Sequence, residues 1–430
     1  MSVFVRRAQY PHVKAPFYPP FGHLQSARGQ KTNTGAVVVS ALAALTPIGN
    51  GCDEFARGLR EGRDGVDAIS GFDASRHRIR RAAEVTWKLP ADSPYSRATE
   101  MALAVMAEAM AGARLSTQRY DPRIGVILAS NQAGMYATAT EYQELSHPYR
   151  TAAFASNRTA RVLDGAPTAT LDLIMARLGA AGPSLNISTA CSAGLHALGM
   201  AYHMVRRGEV DAVVIVAVEV LTEAALAGFG VLRALTNGAG PRPFDLGRDG
   251  TILGEGAAAM IIEPIHSAWY RNATIHAEIA GYGSSTDAVH MTRPDAAGSV
   301  RAMRDALGST STDDVDWIKA HGTGTPANDS AEAAAIHQVF GERAASIPVT
   351  SMKATLGHSL GASGVVEAVG TILSMNGGFI PPTLNVTQVD PACDLDVVAG
   401  PSRSHRGATV LANAFGFGGN NASILFRSVN

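Results

Sequence analysis

The sequence predicts an α/β protein, and three features carry that prediction. Continuous apolar runs such as residues 212–218 are those of strands covered on both faces of a sheet. Runs with helical spacing, among them residues 98–113 and 329–340, alternate with such strands along the chain. Residues 191–208 and 358–377 also rhyme: each reads as a turn, a helix of small residues and a closing glycine, flanked by strands. That repetition suggests an internal duplication.

In order, residues 1–34 hold Arg6, Arg7, Lys14, Arg28 and Lys31, no acidic residue and prolines at 11, 16, 19 and 20. Without apolar periodicity they read as an appended arm, and without an apolar core segment they are no secretory signal. A strand at 36–39, helices at 52–60 and 98–113 and a strand at 125–129 follow. After the short strand 184–187, the helix beyond Cys191 carries Leu195, Leu198, Met204 and Val205 on one stripe. It stops at Arg206-Arg207-Gly208, where cations face the negative helix end. Strands at 211–220, 257–262 and 273–280 complete a first half, residues 35–283. The second half, residues 284–430, has helices at 299–307, 329–340 and 359–375. Its strands are expected at 317–320, 347–351, 409–413 and 422–426.

The 430 residues are 46% hydrophobic and 17% charged, enough for a large core, and the net charge of -1 gives no reason to expect nucleic acid or an anionic membrane as partner. No apolar run approaches the roughly 18 residues of a membrane helix. Cys52, Cys191 and Cys393 lie far apart, without disulfide or CxxC metal spacing, so no metal is expected and a reducing cytoplasmic setting fits best.

Cys191 falls on the turn between a strand and a helix. Unpaired N–H groups and the positive helix end there are expected to favour thiolate and make a nucleophile. Three further clusters could serve it. Ala320-His321-Gly322-Thr323-Gly324-Thr325-Pro326 places a histidine directly after a strand. Lys353 and Gly357-His358 stand at a helix entrance. Asn413 to Asn421 is a glycine-rich loop able to offer N–H groups to an oxyanion. Singly, each is an ordinary feature: a core histidine, a solvated lysine, a tight turn. A rival reading is a serine hydrolase, since Gly357-His358-Ser359-Leu360-Gly361 fits the nucleophile-elbow pattern, with His405 as the available base. Gly254-Glu255-Gly256 is no dinucleotide loop, because it leads into a strand.

Together these motifs resemble the β-ketoacyl-acyl-carrier-protein synthases of the elongating, bacterial type II kind, over about residues 35–427. Pro241-Arg-Pro-Phe-Asp245, Gly254-Glu255-Gly256 and Pro381-Pro382-Thr383-Leu384-Asn385 add to the match. The resemblance implies a thiolase-like fold, two similar halves in five α-β-α-β-α layers. It implies an acyltransferase that condenses an acyl group on Cys191 with malonyl-carrier protein, using His321, His358 and Lys353, with no cofactor. The oxyanion donors would be the N–H groups of Cys191 and Phe417, with Glu332 in support. Thr323 and Thr325 would bind the phosphopantetheine arm, and Gln132, Phe229, Thr292 and Phe417 would form the acyl pocket and its gate. The acidic carrier protein would dock on Arg76, Arg78, Arg80, Arg81 and Arg233. A homodimer is implied, or a heterodimer with a chain-length-factor-like subunit; a third reading is a non-catalytic partner subunit. Gln132 stands where the family commonly has an apolar residue, and residues 141–175 fit the family poorly. Both departures point to a specialised polyketide or unusual-acyl substrate rather than routine fatty-acid elongation.

Overall fold

The computed structural model describes residues 35–429 except 91–92, 116–119 and 133–166. The arm at 1–34 and most of the divergent 141–175 segment therefore lie outside the described residues. The first half contributes β1 (Val37–Thr46), β2 (Ile124–Ala129), β3 (Ser184–Ile187), β4 (Ala212–Glu219) and β5 (Gly256–Pro264). Their spatial order is β3-β2-β4-β5-β1, with β2 parallel to both β3 and β4 and the last two pairings antiparallel.

The second half repeats this plan with β6 (Ala277–Thr286), β7 (Trp317–Lys319), β8 (Pro348–Thr350), β10 (Thr409–Gly416) and β11 (Asn420–Arg427); β9 (Asp396–Val397) adds an outer edge. The order β8-β7-β10-β11-β6 carries the same pairing senses. The rhyme between the halves is thus a duplicated topology. The two sheets touch where Val38 and Val39 of β1 face Glu278 and Ala277 of β6.

Period-two alternation assigns each strand residue to a face. On β2 and β4, Val126, Val214 and Val216 point outward, under α2 (Arg97–Ala113) and α3 (Pro167–Leu178), where Met101, Val105 and Ile174 meet them. Ile127 and Ile215 point inward, to α4 (Ala193–Arg206) and α8 (Ser363–Gly377). The inner face of the second sheet, through Ala412 and Ile424, closes on the same two helices. Its outer face lies under α6 (Ala296–Leu307) and α7 (Pro326–Phe340). The layers are therefore α-β-α-β-α. Two further helices are α1 (Cys52–Glu61), against α8, and α5 (Glu223–Val231).

Twelve of the fifteen α8 residues are buried, as a helix between two sheets requires. Thr371 and Ser374 bury their hydroxyls by donating to the carbonyls of Glu367 and Gly370, both at 2.7 Å. The strand expected at 273–280 lies further on, at Ala277–Thr286, and so crosses the division expected between residues 283 and 284. Gly281 and Gly283 disguised it: a Cβ on Gly281 would sit 2.0 Å from the carbonyl oxygen of Ala306, so glycine there admits the α6 backbone rather than breaking the strand.

The central helices cross with no side chain between them. A Cβ on Gly194 would lie 2.5 Å from the Val365 nitrogen, and one on Gly364 would lie 2.5 Å from the Leu195 nitrogen. Gly194→Ala must push the two helix starts apart. It should destabilise the fold by about 1–3 kcal/mol, the cost of overpacking, and lower the thermal unfolding midpoint. An unchanged melt would show that the crossing is not tight.

Candidate active site

Cys191 sits in the single 3-10 turn Ala190–Ser192 between β3 and α4. Ala190 adopts φ 53, a left-handed conformation that is strained for a residue with a Cβ. The turn is held by Asn131, whose Nδ2 donates to the Ala190 carbonyl at 3.2 Å, and by Ser192, whose hydroxyl donates to the Thr189 carbonyl at 2.8 Å. The backbone N–H groups of Phe417 and of Cys191 itself both point at the sulfur. Gly416 makes room for this, since a Cβ there would lie 3.2 Å from the Cys191 nitrogen.

The expectation of a resting thiolate is corrected. Burial outweighs the nearby Lys353 ammonium and the two N–H groups and pushes the thiol up to about 11. A helix N-terminus lowers a thiol's pKa where solvent also helps to carry the charge. Cys191 is only 6% exposed.

His321 follows β7 on a loop whose Gly322 and Gly324 take φ 38 and 79. Two buried carboxylates of α7 hold that loop. Glu332 accepts from the N–H groups of His321 and Gly322, each at 2.8 Å, and from Asn413 Nδ2 at 3.3 Å. Asp329 accepts from the Gly324 N–H at 3.2 Å and from the Phe244 N–H at 2.8 Å. His358 follows Gly357 and leads through a second 3-10 turn into α8, with Nδ1 3.0 Å from Ser363 Oγ. The two imidazoles meet edge to face with centroids 5.5 Å apart. Burial, and next the Lys353 charge, hold both well below the ordinary histidine range, so both are neutral at pH 7.

Lys353, in the helical turn Lys353–Leu356, donates to Glu367 Oε1 at 2.6 Å, and Lys319 donates to Oε2 of the same carboxylate, also at 2.6 Å. Glu219, at the end of β4, accepts from the Asn131 N–H at 2.5 Å and is pushed up to about 8 by burial. Sequence reasoning missed Lys319, Glu367, Glu219 and Asp329. For the first three the signal was available: a single charge inside an apolar run has to be buried and partnered.

One cavity of about 60 Å³ is lined by Cys191, His321, His358, Thr323, Thr325, Thr292, Phe229 and Phe417, together with Phe415 and Asn421. Phe229 stacks on Phe417 with centroids 5.8 Å apart. Thr323 and Thr325 hydroxyls are 2.9 Å apart, and Thr325 caps α7. Gln132 is not among the described residues that line the cavity; its Oε1 accepts from Thr222 at 3.1 Å. Arg76, Arg78 and Arg233 line a separate groove of about 540 Å³ with His77, Leu226 and Val231. Arg78, Arg80 and Arg81 line a neighbouring depression. Arg80 and Arg81 also donate to the carbonyls of Ser75 and Val66, which ties them to their own loop.

The hydrolase reading fails on geometry. Ser359 is preceded by a helical turn rather than a strand, and its hydroxyl meets Ser363 Oγ at 3.2 Å. His405, the base it would need, lies 3.8 Å from Asp316 instead. The non-catalytic reading is likewise unsupported, because nucleophile and histidines share one cavity.

Residues 34–268 match the family model for the beta-ketoacyl synthase N-terminal domain, and residues 276–387 match that for the C-terminal domain. The chain belongs to the β-ketoacyl synthase family. It is 37% identical to the 3-oxoacyl-[acyl-carrier-protein] synthase 2 of Coxiella burnetii over 91% of this chain and 98% of that one. Among solved structures it resembles the ishigamide ketosynthase/chain length factor, with TM-score 0.83 and 32% identity over 92% of this chain and all of that one. It also resembles AntDE:AntF, a type II polyketide synthase acyl-carrier protein in complex with its ketosynthase bound to the hexaketide, with TM-score 0.82 and 31% identity over the same shares.

A chloroacetamide electrophile should label intact protein at Cys191 and leave Ser359 unmodified. With the thiol near 11, labelling should accelerate by close to tenfold per pH unit from pH 7 to 10. Peptide mass spectrometry at stepped pH checks both, and a plateau near pH 7 would contradict the buried-thiol account.

Proposed function

We propose that this chain performs decarboxylative condensation of an acyl group with malonyl-acyl-carrier protein, with Cys191 as the acyl carrier. The observation that carries this reading is the convergence of Cys191, His321, His358 and the Phe417 N–H on one cavity from segments up to 226 residues apart.

The Cys191 sulfur attacks an acyl thioester, its proton passes to a neutral imidazole, and the carrier thiol leaves with a proton. The developing oxyanion lies between the N–H groups of Cys191 and Phe417, a contribution of about 3 kcal/mol per donor in a comparable hole. Malonyl thioester then loses CO2. The electron pair of the broken C–C bond becomes an enolate, whose oxygen accepts hydrogen bonds from His321 and His358. His358 has Nδ1 against Ser363, which leaves Nε2 for the substrate. The enolate carbon attacks the acyl carbon, the C–S bond breaks with its electron pair on the Cys191 sulfur, which takes up a proton from solvent to restore the resting thiol, and a 3-oxoacyl product two carbons longer departs. The sequence is redox-neutral, so the proposal includes no cofactor or metal.

The stacked Phe229 and Phe417 line the cavity, and their parting admits the acyl chain. The Thr292 loop is coupled to that motion through the Gly418 N–H, which donates to the Met291 carbonyl at 2.7 Å. Thr323 and Thr325 receive the phosphopantetheine arm. The groove of Arg76, Arg78 and Arg233, with Val231 84% exposed beside it, receives the acidic carrier protein, in keeping with the carrier–ketosynthase complex among the relatives. The edge of β3, unpaired among the described residues, serves a homodimer, or a heterodimer with a chain-length-factor-like subunit as in the ishigamide protein. A cytoplasmic polyketide pathway is the setting we assign, on the likeness to polyketide proteins. Mass spectrometry of products from a panel of acyl primers tests it, and acceptance of saturated primers alone would overturn it. No described helix is long and apolar enough to cross a membrane.

Arg78→Glu with Arg233→Glu should raise KM for carrier-bound substrate about tenfold or more and leave the reaction of a small thioester intact. Steady-state kinetics on both substrates decide it, and equal loss on both removes the docking surface.

A further inference from the structure

The cavity around Cys191 is graded from dry to wet. Cys191, His321 and His358 are buried at one end, Thr323 is buried and Thr325 half-buried along the wall, and His290, Met291 and Arg293 are exposed where it opens. Among the described residues that line it, Arg293 alone carries a fixed charge, and none is acidic.

The one hydrogen bond Arg293 makes with a described residue is from its backbone N–H to His290 Nδ1, at 3.2 Å, which leaves the guanidinium without a partner there. The neighbouring carboxylates are occupied elsewhere. Asp295 accepts from the Ala297 N–H at 3.0 Å, and Asp287 accepts from the Asp295 N–H at 3.0 Å and from Asn421 Nδ2 at 2.6 Å. The Thr292 N–H also donates to His290 Nδ1, at 3.1 Å. A ring nitrogen that accepts two N–H groups carries no proton, so His290 presents Nε2–H as a second donor at the opening.

We propose that Arg293 binds the phosphate of the phosphopantetheine arm at the mouth of the cavity, with His290 Nε2 as a second donor, and so selects phosphorylated thioesters over phosphate-free ones. The inference rests on the condensation reading above, which passes that arm through this opening. The arm carries its thioester at one end and its phosphate at the other. With the thioester at Cys191 and the chain alongside Thr323 and Thr325, the phosphate lies outward of both threonines, toward the exposed end. A guanidinium there offers paired N–H donors to two phosphate oxygens. The malonyl carboxylate is the other anion on the substrate, but it travels with the reacting carbons to the buried end, where His321 and His358 stand.

The probes are acyl-phosphopantetheine and acyl-pantetheine, identical but for the phosphate, with their malonyl counterparts. At subsaturating concentration, acyl transfer to Cys191, followed by intact-protein mass spectrometry, should run about fivefold faster from the phosphorylated thioester. That is the upper range for an exposed ion pair, and the preference should shrink with added salt. Arg293→Met should bring transfer from acyl-phosphopantetheine down to the rate seen with acyl-pantetheine, and Arg293→Lys should keep part of the preference. Condensation with the malonyl pair should show the same preference in KM and none in kcat. Equal transfer from both thioesters by the unsubstituted protein, or a preference that survives Arg293→Met, would overturn the proposal. So would a defect confined to malonyl thioesters, which would assign Arg293 to the carboxylate. A preference lost in Arg293→Met, in a protein that loads Cys191 but never condenses, would uphold the phosphate site and defeat the condensation reading.

Discussion

Two helix starts meeting backbone to backbone set the geometry on which the rest depends. Gly194 opens α4 three residues after the nucleophile, and Gly364 opens α8 six residues after His358. A side chain at either position would enter the other helix. Duplication supplies the matching halves, and this contact helps bring the turn before each helix to the same point between the sheets. The His321 loop then enters from β7 on the second sheet, fastened by Glu332 and Asp329. Three reactive groups are thus placed by packed backbone and buried carboxylates, not by mobile surface loops.

Much of this was legible in the sequence because the reactive residues interrupt regular patterns. Cys191, His321 and His358 each sit at a change from strand or turn to helix, and small residues around them advertise close approach. Less legible were features that depend on what lies opposite. The strand through Gly281 and Gly283 looks like a loop until α6 is seen against it. Gln132 is held by Thr222, a partner 90 residues away that nothing local in the sequence announces. Glu367 and Lys319 lie 48 residues apart, and their pairing depends on α8 lying across the end of β7. The thiolate expectation failed for a related reason. Position at a helix start is local, whereas desolvation is set by the whole fold.

Desolvation shapes the chemistry as well. Burial raises the Cys191 thiol and holds both imidazoles well below their ordinary range, and both shifts set proton transfer from Cys191 to histidine uphill. That is compatible with turnover, since a kcat of about 10 per second corresponds to a barrier of roughly 16 kcal/mol. It does require the transfer to accompany attack, so that charge leaving the sulfur passes to an acyl oxygen already met by two N–H groups. A resting ion pair would shed this cost but would place an imidazolium beside the malonyl carboxylate, where it stabilises the wrong state. The dry, cation-backed site therefore gives up nucleophile activation at rest and gains a pair of neutral donors for the enolate, the step that forms the carbon–carbon bond.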